Sequence, residues 1–130
     1  PEFDDAGVFS EGWAPVKKAT KWFYIDSGRI EMYRGTDPDI ARYDEALTFR
    51  QGLAAVRDGS RWGYIDAKHW FQIRPQFEKA GAFNEDLAAV KQGARWGYID
   101  RTGKLSISPQ FIFAERFSEG LAAVVISGQR

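Results

Sequence analysis

The chain has 130 residues, 18 basic against 18 acidic side chains, no cysteine and one histidine. That length holds one domain or a short stack of repeats. The zero net charge lacks the basic field on which sequence-independent nucleic-acid binding depends, disulfides and thiolate metal sites are excluded, and no apolar run approaches the roughly 20 residues of a membrane-spanning helix. Ten Phe, five Trp and five Tyr make up 15% of the residues, enough apolar bulk for a core.

In chain order, Pro1-Glu2-Phe3 reads as the remnant of a removed fusion tag. Residues 4–130 are then one repeat domain, with units at about 9–48, 49–82 and 83–116 and a partial unit at 117–130. Each unit opens on one block: Phe9-Ser-Glu-Gly-Trp-Ala-Pro-Val16, Phe49-Arg-Gln-Gly-Leu-Ala-Ala-Val56, Phe83-Asn-Glu-Asp-Leu-Ala-Ala-Val90 and Phe117-Ser-Glu-Gly-Leu-Ala-Ala-Val124. A second block follows in the first three units: Trp22-Phe-Tyr-Ile-Asp26, Trp62-Gly-Tyr-Ile-Asp66 and Trp96-Gly-Tyr-Ile-Asp100. A looser third block begins at Tyr43, Phe77 and Phe111, and Phe3 falls in register with it. The successive steps of the first block are 40, 34 and 34 residues, which places an insertion of about six residues within 33–39 of the first unit.

A 34-residue period also suits paired helices, but Gly59, Gly63, Gly93 and Gly97 would break them. Alternation favours strands at 53–57 and 61–66, with Trp62, Tyr64 and Asp66 on one face and Gly63 and Ile65 on the other. Gly-bearing turns at 58–60 and 92–94 close hairpins. A turn at 101–104 leads to a third strand over 104–107, which Pro109 is expected to end. The expected fold is all-β: three-stranded meanders joined by short irregular connections, with one helical turn admissible near 78–82, stacked as an open curved array. A small closed propeller-like arrangement is the alternative. Trp22, Trp62, Trp96, Tyr24, Tyr64, Tyr98, Phe49, Phe83 and Phe117, with Phe9 in the same column, are assigned to the repeated core. Gly63 and Gly97 are expected to accept an aromatic ring from a neighbouring strand or unit.

The order Phe-x-Glu-Gly-Leu-Ala-x-Val, Trp-Gly-Tyr-Ile-Asp, x-Gly-Lys, Pro-x-Phe resembles the WG repeat, known mostly from bacterial proteins. The resemblance covers about residues 9–125 and implies a non-catalytic interaction module. The chain departs from the pattern at Trp13, Pro15 and Phe23 in the first unit, at His69-Trp70 in the second, where the third has Gly103-Lys104, and at Asp86 in the third.

These departures supply the binding candidates: Trp13, Phe23, His69, Trp70 and Phe71. Exposed aromatics concentrate binding energy. The competing reading makes Trp13 and Phe23 a cap on the first unit, Trp70 and Phe71 local filler, and His69 a solvated turn residue. Asp26, Asp66 and Asp100 read as turn-formers. A carboxylate row for cations or glycoside hydrolysis is the alternative, but equivalent residues in every repeat argue against an acid/base pair. No catalytic residue, metal site or cofactor is assigned. The expected function is protein or peptide binding at a unit-junction surface or a free strand edge, with carbohydrate or cell-wall binding second, given a regular row of exposed rings. The last unit holds a first strand without its Trp-Gly-Tyr partner, so self-association through that strand is a further expectation.

Overall fold

The computed structural model of the chain describes residues 3–26, 41–114 and 124–126, with the backbone alone at 111–114 and 124–126. Phe117, Tyr33 and the 33–39 insertion lie outside them. The described residues form twelve strands: β1 (Asp5–Ala6), β2 (Trp13–Lys18), β3 (Lys21–Asp26), β4 (Glu45–Ala46), β5 (Ala54–Asp58), β6 (Arg61–Ile65), β7 (Phe71–Phe77), β8 (Lys79–Ala80), β9 (Ala88–Gln92), β10 (Arg95–Ile99), β11 (Leu105–Ala114) and β12 (Val124–Ile126). They make three antiparallel sheets in the orders β1-β2-β3, β4-β5-β6-β7 and β8-β9-β10-β11-β12, and none closes on itself.

The recurrent Glu-Gly pair has a backbone cause. Glu11 and Gly12, Gln51 and Gly52, and Glu85 and Asp86 all have positive φ, between 52° and 88°. A two-residue turn with both centres left-handed matches strand twist. Ser10–Trp13, Arg50–Leu53 and Asn84–Leu87 close these turns as isolated bridges. Asp86 stands in the glycine position there, since a short polar side chain that bonds locally tolerates the left-handed region. The second turn of each unit is also two residues long, between Lys18 and Lys21, Asp58 and Arg61, and Gln92 and Arg95. A carboxylate caps each one: Asp4, Asp44 and Glu78 accept from the backbone N–H of Ala19, Gly59 and Gly93 at 2.7, 2.6 and 3.0 Å.

The connection expected to be irregular is a bent strand shared by two sheets. Phe77 pairs with Trp62 in the second sheet, and two residues on Lys79 pairs with Lys91 in the third. Tyr43 and Glu45 repeat this at the first handover, pairing with Trp22 and Arg57. In β11 the strand runs through unbroken, from Leu105 opposite Ile99 to Ala114 opposite Val124. The helical turn expected near 78–82 is therefore β8, and Pro109 does not end its strand. Pro75 and Pro109 sit where the β6–β7 and β10–β11 registers shift, and at such an irregularity the missing N–H costs no ladder bond. The same kink corrects the expectation for Gly63 and Gly97. A Cβ on Gly63 would lie 2.5 Å from the Ile73 carbonyl oxygen, and one on Gly97 equally close to that of Ile107. Strand backbone, not an aromatic ring, covers each glycine.

Period-two alternation then divides each sheet between two cores. Ala54, Val56 and Ile65 meet Tyr24, Tyr43, Ala46 and Phe49 in the first junction. Ala55, Trp62 and Tyr64 meet Phe83, Ala88, Val90 and Ile99 in the second. Both junctions use one fastening. Tyr24 sits edge-on to Phe49 at 5.0 Å and Tyr64 to Phe83 at 4.9 Å. The Tyr24 hydroxyl donates to the Leu47 carbonyl, and that of Tyr64 to the Gly81 carbonyl at 2.6 Å. Burial accordingly pushes both phenols well above their ordinary range. No hydrophobic cluster of described residues joins the first sheet to the third, so the closed alternative gains no support.

Phe49, Phe83, Tyr24, Tyr64, Tyr98 and Trp62 are buried, and Trp22 and Trp96 are half-buried against the same clusters. Phe9 is 45% exposed, because no described sheet precedes β1 to supply the tyrosine that meets Phe49 and Phe83.

Candidate functional site at the first junction rim

Four of the five binding candidates converge on the rim of the first junction. The turn after β6 brings His69, Trp70 and Phe71 there, and β2 brings Trp13. Asp66 closes that strand and its Oδ1 accepts from the backbone N–H of Lys68 and Trp70 at 2.9 and 3.1 Å, while Oδ2 accepts from the Gln72 amide at 2.7 Å. Asp100 builds the equivalent turn with Thr102 and Lys104. These are the turn-formers the sequence implied. Partial desolvation pulls Asp66 upward, but the N–H groups of Trp70 and Lys68, the Gln72 amide and the Lys68 charge outweigh it and hold the carboxyl below its usual range. The Thr102 hydroxyl and N–H lower Asp100 in the same way. Among the described residues no group of three or more His, Asp or Glu is placed to hold a metal ion.

His69 is not a solvated turn residue. Its ring centroid lies 4.4 Å from Trp13, 5.7 Å from Tyr24 and 6.3 Å from Phe49. Its Nε2 is buried and has no hydrogen-bond partner among the described residues. Burial lowers its affinity for a proton, with Asp66 pulling weakly the other way. Trp13 is half-buried and packs on the same core, so both residues fill the junction. Trp70 points out and is 70% exposed. Phe71 is 36% exposed and stands edge-on to Tyr43 at 6.3 Å.

Phe23 does not belong to this group. It is fully buried on the opposite face of the first sheet, with Ala14, Val16 and Ile25. Phe3 packs on it at 6.1 Å and the Arg42 guanidinium lies 5.4 Å from its centroid. It stands in the column of Gly63 and Gly97, but no bulged third strand is described beside it, and the ring covers the sheet face instead. Phe23 is a cap, unavailable to a ligand.

Tyr24 and Phe49 complete the pocket around His69, which the sequence analysis placed only in the core. The signal for that pocket was present. His69 aligns with Gly103, and both have positive φ, 68° and 92°. A residue in a left-handed column takes its direction from the turn, here into the seam. On the same junction an open groove of about 600 Å³ is lined by Trp22, Leu47, Lys17, Asp44, Glu45 and Arg57. Asp44, Glu45 and Arg57 on it are paired, Lys21 with Asp44 at 2.6 Å and Arg57 with Glu45 at 3.1 Å, which weakens its field for a charged ligand.

The fold and this rim define a tandem β-meander repeat with one off-pattern aromatic surface. The family model described as WG containing repeat matches residues 1–22, 41–62, 62–96 and 96–129, and the chain belongs to that family. Comparison with curated proteins and with solved structures finds no match.

Proposed function

We propose that the protein is a non-catalytic binding module that takes a protein or peptide segment at the first junction rim, with Trp70 as the anchor and Phe71 beside it. The observation that carries this is the contrast within one sequence. The recurrent rings at the two described junctions turn inward, whereas Trp70, outside every repeat column, is 70% exposed. An aromatic held on an ordered turn supplies large contact area at low entropic cost. The recurrent carboxylates support the non-catalytic part, because Asp66 and Asp100 do the same turn chemistry in successive units. A carbohydrate platform needs a regular row of exposed rings, and Trp62, at 6% exposure, interrupts it.

The test is selection of peptides from a displayed random library on the wild-type chain, followed by affinity measurement on a Trp70→Ala/Phe71→Ala variant. Selected peptides are expected to bind the variant at least about tenfold more weakly, with its melting temperature within roughly 2 °C of wild type. Equal binding to both proteins, or a large drop in melting temperature, would sink the proposal.

A second mode rests on β12. It pairs with β11 on one side and is the last strand of its sheet among the described residues. An unpaired strand edge is a template for another strand, so we expect this chain to self-associate with rising concentration. Sedimentation over a hundredfold concentration range checks this, and a single monomeric species throughout rules it out.

A further inference from the structure

We propose that His69 is a proton-sensitive wedge that holds the first junction closed and fixes the turn presenting Trp70, so that recognition at this rim weakens in mild acid. The inference rests on the binding reading for its second half only; the wedge stands without it.

The wedge is visible by comparing the two junctions. Gly103 and His69 occupy the same place after Asp100 and Asp66, and each backbone N–H donates to the aspartate carbonyl, at 3.0 and 2.8 Å. At Gly103 a side chain would be crowded, since a Cβ would stand 3.2 Å from Cγ1 and Cγ2 of Ile73. In the second junction, then, Ile73 fills the slot beside the turn. In the first junction the imidazole of His69 fills it, between Trp13, Tyr24 and Phe49. The next residue along is Trp70, whose backbone N–H is tied to the Asp66 carboxylate. Moving the imidazole out of its slot therefore moves the anchor.

The charged groups around the slot do not compensate a second ring proton. From its own turn, Asp66 faces the ring but already accepts from two backbone N–H groups and Gln72, and Lys68 adds positive charge. From β3, the Tyr24 hydroxyl donates to the Leu47 carbonyl, and Asp26 lies at the strand end opposite Trp13 in register. Trp13 from β2 and Phe49 from the turn before β5 carry no charge, and Arg50 beside Phe49 is exposed. A neutral imidazole leaves only an acceptor unpaired at Nε2, whereas a protonated one buries an N–H donor and a charge there. Burial thus holds His69 below its ordinary range in the closed junction. The sign follows. The withdrawn or unfolded histidine takes the proton more readily, so closure is fully favoured above its free value of about 6.5 and is lost progressively as pH falls through that value.

His69 is the only histidine in the chain, so its ring resonances report without ambiguity. Three measurements run between about pH 7.5 and about pH 5.5: the imidazole titration by NMR, the melting temperature of wild type against His69→Phe, and the affinity of a selected peptide for both. The wedge predicts an imidazole midpoint below that of free histidine. It also predicts a melting temperature that falls with pH more steeply in wild type than in His69→Phe, which keeps a ring and cannot titrate. Peptide affinity is expected to fall about threefold or more in wild type and to stay flat in His69→Phe. An imidazole midpoint at or above the free value overturns the wedge, and the wild-type titration decides this even if the variant fails to fold. A normal stability result with pH-independent peptide affinity overturns the coupling to Trp70. Absence of any peptide binding at either pH overturns the binding reading and the coupling, while the first two measurements still decide the wedge.

Discussion

Gly63→Ala is expected to destabilise the protein by about 3 kcal/mol, lowering the melting temperature by roughly 10 °C. The added Cβ would meet the Ile73 carbonyl oxygen at 2.5 Å, the Pro75 nitrogen at 2.7 Å and the Arg74 carbonyl carbon at 2.8 Å. All three are backbone atoms, so no side-chain rotation relieves the contact. Pro75 fixes its own φ, so the kinked segment of β7 has little freedom to move aside. Gly97 meets Ile107, Pro109 and Ser108 in the same way, at 2.5, 2.8 and 2.9 Å, and its alanine variant should behave alike. Gly81→Ala is the control. Its nearest contact would be the Ala89 oxygen at 3.7 Å, in ordinary backbone geometry, and alanine there should change stability by no more than about 0.5 kcal/mol. Denaturant unfolding of the three variants checks this. A Gly63 variant within 1 kcal/mol or so of wild type would mean that the strand does not cross the glycine as described.

That glycine also marks how far sequence alone reaches here. Its place in a strand, opposite in face to Trp62 and Tyr64, follows from alternation. So do the hairpins, because turns need positive φ and the sequence supplies Gly, Asp and polar residues at fixed offsets. What covers Gly63 did not follow. A hole on a strand face is filled equally well by a ring from another unit or by backbone from the next strand, and composition does not distinguish them. The shared bent strands were hidden for a related reason. Proline reads as a strand stop because it lacks a donor, yet Pro75 and Pro109 occupy kinks at which no donor is used. The site shows the same division. Departures from the repeat located the rim, since Trp13, His69, Trp70 and Phe71 all lie there. Their roles depend on direction. Phe23 in a glycine column and His69 in another glycine column both point into cores, one at the outer face of the first sheet and one in its seam with the second.

Phe83→Ala is expected to cost about 3–5 kcal/mol, the range for deleting a fully buried aromatic ring. Phe83 is 1% exposed and belongs to the cluster that joins the second and third sheets. Its ring supports the edge of Tyr64, whose hydroxyl crosses the same seam to the Gly81 carbonyl. Removing the ring opens a cavity and loosens that hydroxyl at once, so relaxation recovers little. Phe9 occupies the same column one unit before Phe49, and sequence alone predicts the same cost there. With Phe9 at 45% exposure, its alanine variant is expected to lose no more than about 0.5 kcal/mol. The pair isolates the stabilising unit, because the residue type and the repeat position are the same while a preceding sheet is described in one case only. Repeat stability is a sum of unit and nearest-neighbour terms, and a difference of several kcal/mol between the two variants assigns most of this column's contribution to the junction. Equal losses at Phe9 and Phe83 would place it within the single unit instead, and the tyrosine fastening would then be incidental to stability.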